Sequence, residues 1–179
     1  AFIRDRVNGY EELKANVAAF TPEAVVDLPS AKMVTTGLYH SCSLLLDGSA
    51  RCWGYNPFGQ LGIGVAETRT SPTPVIALVD ALSIAAGEEH VCVLRPTGKV
   101  SCWGSNDAGE LGDGTMTTRL APVEVEGISG AITVITGYDQ TCVKFADGSI
   151  QCWGNNSHGQ CGDGTVTPRA KPVSVIGMP

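Results

Sequence analysis

No apolar run in the 179-residue chain approaches the roughly 18 residues that span a bilayer; Val75 to Val79 is about the longest. Membrane insertion is therefore not expected. Charge is scarce as well, at 17% of residues, and the excess is acidic: twelve Lys and Arg against eighteen Asp and Glu leave a formal net charge of -6. A phosphate backbone is read by Lys and Arg, so nucleic acid is not an expected partner. Aromatic residues reach only 6%, but hydrophobic residues as a whole reach 43%, and this excludes the composition of intrinsic disorder. Long helices are disfavoured by 22 Gly and 10 Pro, which break them. No single-copy set of catalytic side chains is visible either, so the chain is not expected to be an enzyme.

What the sequence does have is repetition. Cys42, Cys92 and Cys142 recur at a spacing of fifty residues, and so do Cys52, Cys102 and Cys152. Each of the second set opens a Cys-Trp-Gly triplet through Trp53, Trp103 or Trp153. The same register holds Asn56/Asn106/Asn156, Gly59/Gly109/Gly159, Gly62/Gly112/Gly162 and Arg69/Arg119/Arg169. A fixed period of this length is the mark of a repeat architecture in which each copy is one supersecondary unit. Three units are read at 22–71, 72–121 and 122–171. The tail 172–179 reads as the first strand of a fourth, because Pro172-Val173-Ser174-Val175 parallels Pro122-Val123-Glu124-Val125. Residues 1–21 fall outside the pattern. There, Asn8 and Glu11 have capping-box spacing, and Tyr10, Leu13, Val17 and Phe20 share one face of an expected short helix.

Inside a unit the signals are all β. Val34 to Thr36, Ser41 to Leu46 and Ser49 to Trp53 are short runs bounded by Gly. Pro96-Thr97-Gly98 fits a type I turn followed by a left-handed Gly. In such a three-residue loop Arg95 faces Lys99, which sets Cys92 opposite Cys102; the other units set Cys42 opposite Cys52 and Cys142 opposite Cys152. Directly opposed residues have Cα atoms about 4.5–5.5 Å apart, within reach of a disulfide. Each unit is therefore expected to carry its own bridge. Zinc is the competing use, but structural sites need four ligands, usually two to four residues apart; no metal or cofactor is expected. Three bridges in an acidic chain point to an oxidising compartment, extracellular or cell-surface, with the periplasm, and reduced thiols in a cytosolic protein, as alternatives. Cys161, where the other units have Leu61 and Leu111, reads as a small buried apolar residue.

Each unit reads Gly-x-x-His-x-Cys (Gln140 replacing the His in the third), a hairpin, then Cys-Trp-Gly-x-Asn-x-x-Gly-[Gln/Glu]-[Leu/Cys]-Gly-x-Gly. Apart from its cysteines, this pattern resembles the regulator of chromosome condensation repeat, over residues 22–179. The resemblance implies an all-β fold of four-stranded β-propeller blades, typically seven in a closed ring. Three units are too few to close one, since propellers need about four to eight. The remaining blades are expected from a longer parent chain, a second copy or another subunit. The best-known family member is an exchange factor for a small nuclear GTPase. The acidic balance and paired cysteines instead resemble propellers that bacteria export, and the same fold forms a secreted inhibitor.

Columns that recur between units are read as structural, because a catalytic or nucleotide site is normally built once. This covers the Gly59 to Gly64 stretch, the Trp and Arg columns, and His40 with His90. Columns that change between units are better placed to meet a partner. Tyr39 becomes Glu89 and Asp139, Leu38 becomes Glu88 and Tyr138, Tyr55 becomes Ser105 and Asn155, and Phe58 becomes Ala108 and His158. The candidate partner-binding residues are therefore Tyr39, Tyr55, Phe58, Glu88, Glu89, Tyr138, Asp139 and His158. The expected function is a non-enzymatic extracellular binding or scaffold module, with a structural subunit of a surface assembly, or an exchange-factor-like or inhibitor propeller, as alternatives.

Overall fold

The computed structural model describes residues 24–178. The helix expected over residues 1–21 lies outside them. Twelve strands form three four-stranded antiparallel sheets. The first contains β1 (Ala31–Thr36), β2 (His40–Leu45), β3 (Ala50–Gly54) and β4 (Arg69–Pro74). The second contains β5 (Ser83–Ala86), β6 (His90–Leu94), β7 (Val100–Gly104) and β8 (Arg119–Glu124). The third contains β9 (Ala131–Thr136), β10 (Gln140–Phe145), β11 (Ile150–Gly154) and β12 (Arg169–Ser174). Strand order follows chain order in every sheet, so each is a simple meander. The first strands β1, β5 and β9 lie side by side from blade to blade, while β4, β8 and β12 form the outer edges.

The phase of the repeat differs from the sequence reading. Pro172, Val173 and Ser174 belong to β12, which pairs with β11 and completes the third blade. They do not open a fourth. Proline lacks the N–H that a ladder needs, so it is confined to edge strands. Pro72, Pro122 and Pro172 all sit in these outer edges.

The hairpins form as expected. Arg95 N donates to Lys99 O at 2.9 Å, and Gly98, at φ 72°, donates to Arg95 O at 2.9 Å. In that register Cys42↔Cys52, Cys92↔Cys102 and Cys142↔Cys152 face each other, and all three pairs are disulfide-bonded. Their Cα atoms are 4.1 Å apart. Counting two residues at a time from the hairpin bond puts each pair at a non-hydrogen-bonded position, the narrow one of an antiparallel ladder.

The core lies between blades as much as within them. Cys42, Leu44, Cys52 and Leu61 of the first blade bury against Ile84, Val91, Val93 and Trp103 of the second. Cys92, Cys102 and Leu111 repeat the arrangement against Val134, Val143 and Trp153 of the third. Each of these two bridges thus packs in an interblade core.

Candidate functional site

The invariant columns build the joints. Asn56 is fully buried; its Oδ1 accepts from Leu61 N at 2.9 Å and its Nδ2 donates to Val65 O and Glu67 O. Asn106 and Asn156 do the same for their own loops. The loop so held clasps the next blade. Trp103 Nε1 donates to Gln60 O at 2.9 Å, and Trp153 Nε1 to Glu110 O at 2.9 Å. Gly62 has φ +66°, and a Cβ there would stand 2.8 Å from Trp103 Nε1. Positive φ and the absence of a side chain are both needed. Gly64 N reaches Leu120 O in β8 at 2.8 Å, and Gly114 N reaches Ala170 O in β12 at 2.9 Å. The recurrent glycine stretch is therefore an interblade clasp.

Beside these clasps, Asp113 and Asp163 pair with Arg119 and Arg169. Burial pushes the Asp163 carboxyl up, but hydrogen bonds from Thr165, Arg169 and Asn156 outweigh it and hold it at about 2. Cys161 is buried, as expected of a residue in a leucine column, and burial pushes its thiol up to about 11.

The histidines face the joints too, with one difference. His90 Nε2 lies 3.0 Å from Thr141 Oγ1 of the third blade, and that hydroxyl donates to Glu110 O at 2.9 Å. Val91 stands where Thr141 would be for the preceding pair, and neither His40 ring nitrogen has a partner. Both histidines are structural, but only His90 is hydrogen-bonded across its joint; His40 is not, because Val91 offers no oxygen. Burial lowers His40 to about 4; burial, then the charge of His40, lowers His90 to about 3. Val91→Thr would supply the missing hydroxyl in nearly the same volume. It is expected to stabilise the chain by about 1 kcal/mol, read as a higher urea midpoint; an unchanged or lower midpoint would show that His40 needs no acceptor.

The divergent columns converge elsewhere. Tyr55 N donates to Tyr39 O at 2.8 Å, Ser105 N to Glu89 O at 2.9 Å, and Asn155 N to Asp139 O at 2.7 Å. In each blade, therefore, the loop between the first two strands lies against the segment leaving the third. Leu38 N donates to Glu88 O at 3.1 Å and Glu88 N to Tyr138 O at 2.9 Å, which runs these loops together across the blades. All eight candidate residues stand at this end, opposite the hairpin turns. Tyr39 is 65% exposed and Tyr138 68%. Tyr39 and Tyr55 meet edge to face, ring centroids 5.9 Å apart. Phe58, Glu88, Glu89 and Asp139 are half-buried, and His158 is exposed. Where the first strands end, Leu38, Glu88 and Tyr138 border an open cleft of about 270 Å³.

Charge gathers here. Burial raises Glu89, and the neighbouring Glu88, Asp139, Asp107 and Glu110 raise it further. Asp139 is raised by burial and then by Glu88. Tyr138 is pushed up to about 12, first by a hydrogen bond toward Glu88. Sequence divergence singled out the residues, but their continuity across three blades was beyond it, since the connecting bonds join residues fifty apart.

Comparisons with known proteins agree with this architecture. A family model described as the Regulator of chromosome condensation (RCC1) repeat matches residues 47–94 and 97–143, and a second of the same description matches 33–60, 82–110 and 134–160. Among solved structures, Prp20p of Saccharomyces cerevisiae is 24% identical with a TM-score of 0.74, covering 83% of this chain and 39% of that one. Human WBSCR16 is 20% identical with a TM-score of 0.74, covering 85% and 39%. The ectodomain of the receptor kinase CR4 from Physcomitrella patens is 26% identical with a TM-score of 0.51, covering 75% and 32%. The chain thus spans less than two fifths of the length of these structures. No curated protein matches the chain.

Proposed function

The chain belongs to the regulator of chromosome condensation repeat family, and on that premise we propose that it is a protein-binding module of an exported propeller and not a catalyst. The observation that carries this reading is the division of labour among the columns. Residues common to all three blades are consumed by turns, bridges and clasps, while the eight candidate residues, all from columns that differ, lie together at the loop end. Exposed aromatics in such a place are the usual anchors of an interface. The cleft of about 270 Å³ falls below the roughly 300–1,000 Å³ of small-molecule sites, and it suits a side chain of a partner. Three bridges fit an oxidising environment, outside the cell or at its surface. Protein binding is also known of the yeast relative: Prp20p was solved with Kap60, and its binding to Gsp1p and histones was described.

A second reading, a blade-contributing subunit of a larger surface body, is favoured by Trp53. It is only partly buried, whereas Trp103 and Trp153 are fully covered by the clasp of the blade before them. A clasp from a further blade, of the same chain or another, would complete it.

The immobilised, oxidised chain is expected to retain a stoichiometric protein partner from the extracellular fraction of its source. Tyr39→Ala/Tyr55→Ala should release it while leaving the thermal midpoint close to the parent's. Retention unaffected by these substitutions would contradict the proposed face.

A further inference from the structure

Resting on the protein-binding reading above, the distribution of unpaired charge narrows what the partner must be. Six carboxylates elsewhere in the described residues each have an Arg or Lys partner, from Glu67 with Arg69 to Glu126 with Lys171. Even the arginines nearest the loop end are taken: Arg119 and Arg169, opposite Gly104 and Gly154 at the outer rim, pair with Asp113 and Asp163. Of the carboxylates with no ion pair among the described residues, Asp27 lies ahead of β1, and Asp47 and Asp147 are each hydrogen-bonded to Ser49 or Ser149 at the hairpin turns. Glu88, Glu89, Asp107, Glu110 and Asp139, by contrast, lie close enough to perturb one another. Uncompensated like charge costs folding stability, and proteins keep such costs mainly where function needs them. Beside these carboxylates stand Tyr138 and the Tyr39–Tyr55 pair, exposed and edge to face.

We propose that this end of the blades docks a Lys- or Arg-bearing segment of a protein partner. Glu88, Glu89, Asp107 and Asp139 take the cationic heads, and the tyrosine rings take the alkyl stems and adjacent apolar groups. The chemistry is complementary on both counts. Carboxylates attract ammonium and guanidinium groups and speed encounter, ring faces attract the same cations, and long basic side chains lay apolar stems on apolar surface. A small anionic or neutral ligand would meet repulsion or nothing to pair with. A divalent cation would use the charge and ignore the rings.

The test is fluorescence anisotropy with three labelled decapeptides, one rich in Lys and Arg, one in Asp and Glu, one in Ser and Gly, titrated with the full 179-residue chain. Only the basic peptide should bind, and binding should weaken as NaCl rises from about 20 mM to about 200 mM, where screening shortens the reach of the charges. Glu88→Gln/Glu89→Gln/Asp139→Asn should weaken it by roughly tenfold or more at low salt. The same variant should melt no lower than the parent, because repulsion has been removed; this separates lost binding from lost folding. Asp47→Asn/Asp147→Asn, at the hairpin end, should leave binding unchanged. Equal binding by the neutralised variant, binding of the acidic peptide, or saturable binding of CaCl2 with no peptide binding would each overturn the proposal. If the basic peptide fails but partner retention still depends on Tyr39 and Tyr55, the charge assignment alone falls. If retention fails, the protein-binding reading falls with it.

Discussion

Trp103→Ala is expected to cost about 3–5 kcal/mol, the range for removing a large buried aromatic. The side chain is fully buried between the first two blades, its Nε1 holds Gln60 O at 2.9 Å, and its ring fills the space that Gly62 leaves. Removing it leaves a cavity, an unpaired carbonyl and an unsupported clasp. Domains are typically stable by about 5–15 kcal/mol, so a loss of this size takes most of what there is. Urea denaturation should show the midpoint collapse or the cooperative transition disappear. Trp53→Ala is the internal comparison: the same residue in the same column, only partly buried, should cost much less. Equal costs for the two would contradict the clasp as the source of the effect.

Reduction of the three bridges should be the other large loss. Each closes a loop between cysteines ten apart in sequence. Chain entropy sets an upper value of roughly 2.5–3 kcal/mol per bridge, and a hairpin already held by its turn gains less. A total of about 4–8 kcal/mol still rivals the whole stability of an ordinary domain. Intact-mass measurement without reductant should find the chain six hydrogens lighter than its reduced form, with Cys161 alkylated only after unfolding. Dithiothreitol should then lower the urea midpoint sharply. Free thiols at Cys42 and Cys52 in the purified protein, or a midpoint indifferent to reductant, would remove the basis for an oxidising compartment.

Much of this architecture is legible in the sequence because a joint must be rebuilt in every blade. Trp, Gly and Asn recur every fifty residues since each clasp needs an indole, a side-chain-free position and a buried amide in the same relation. The hairpin was equally legible, because Pro96-Thr97-Gly98 carries its own turn geometry and fixes which cysteines face each other. The phase of the blades was not. A period fixes spacing and leaves the origin open, and Pro122 looks like a boundary until its strand is seen paired at an edge with β7. Nor could the missing partner of His40 be foreseen, since it depends on Val91 of the neighbouring blade. The proposed binding face was legible only as a set of changing columns. That these columns form one acidic and aromatic surface follows from bonds such as Glu88 N to Tyr138 O, which exist only once the blades are assembled.

The central claim is that shared columns fold the chain and divergent columns meet its partner. Hydrogen–deuterium exchange on the captured complex tests it most directly. Added protection on binding should fall on the segments around Leu38–Tyr39, Tyr55–Phe58, Glu88–Glu89, Asp107 and Tyr138–Asp139, with the hairpin turns and the outer strands β4, β8 and β12 unchanged. Protection confined to those outer strands or turns, with the loop end exchanging as freely as in the unbound chain, would contradict it.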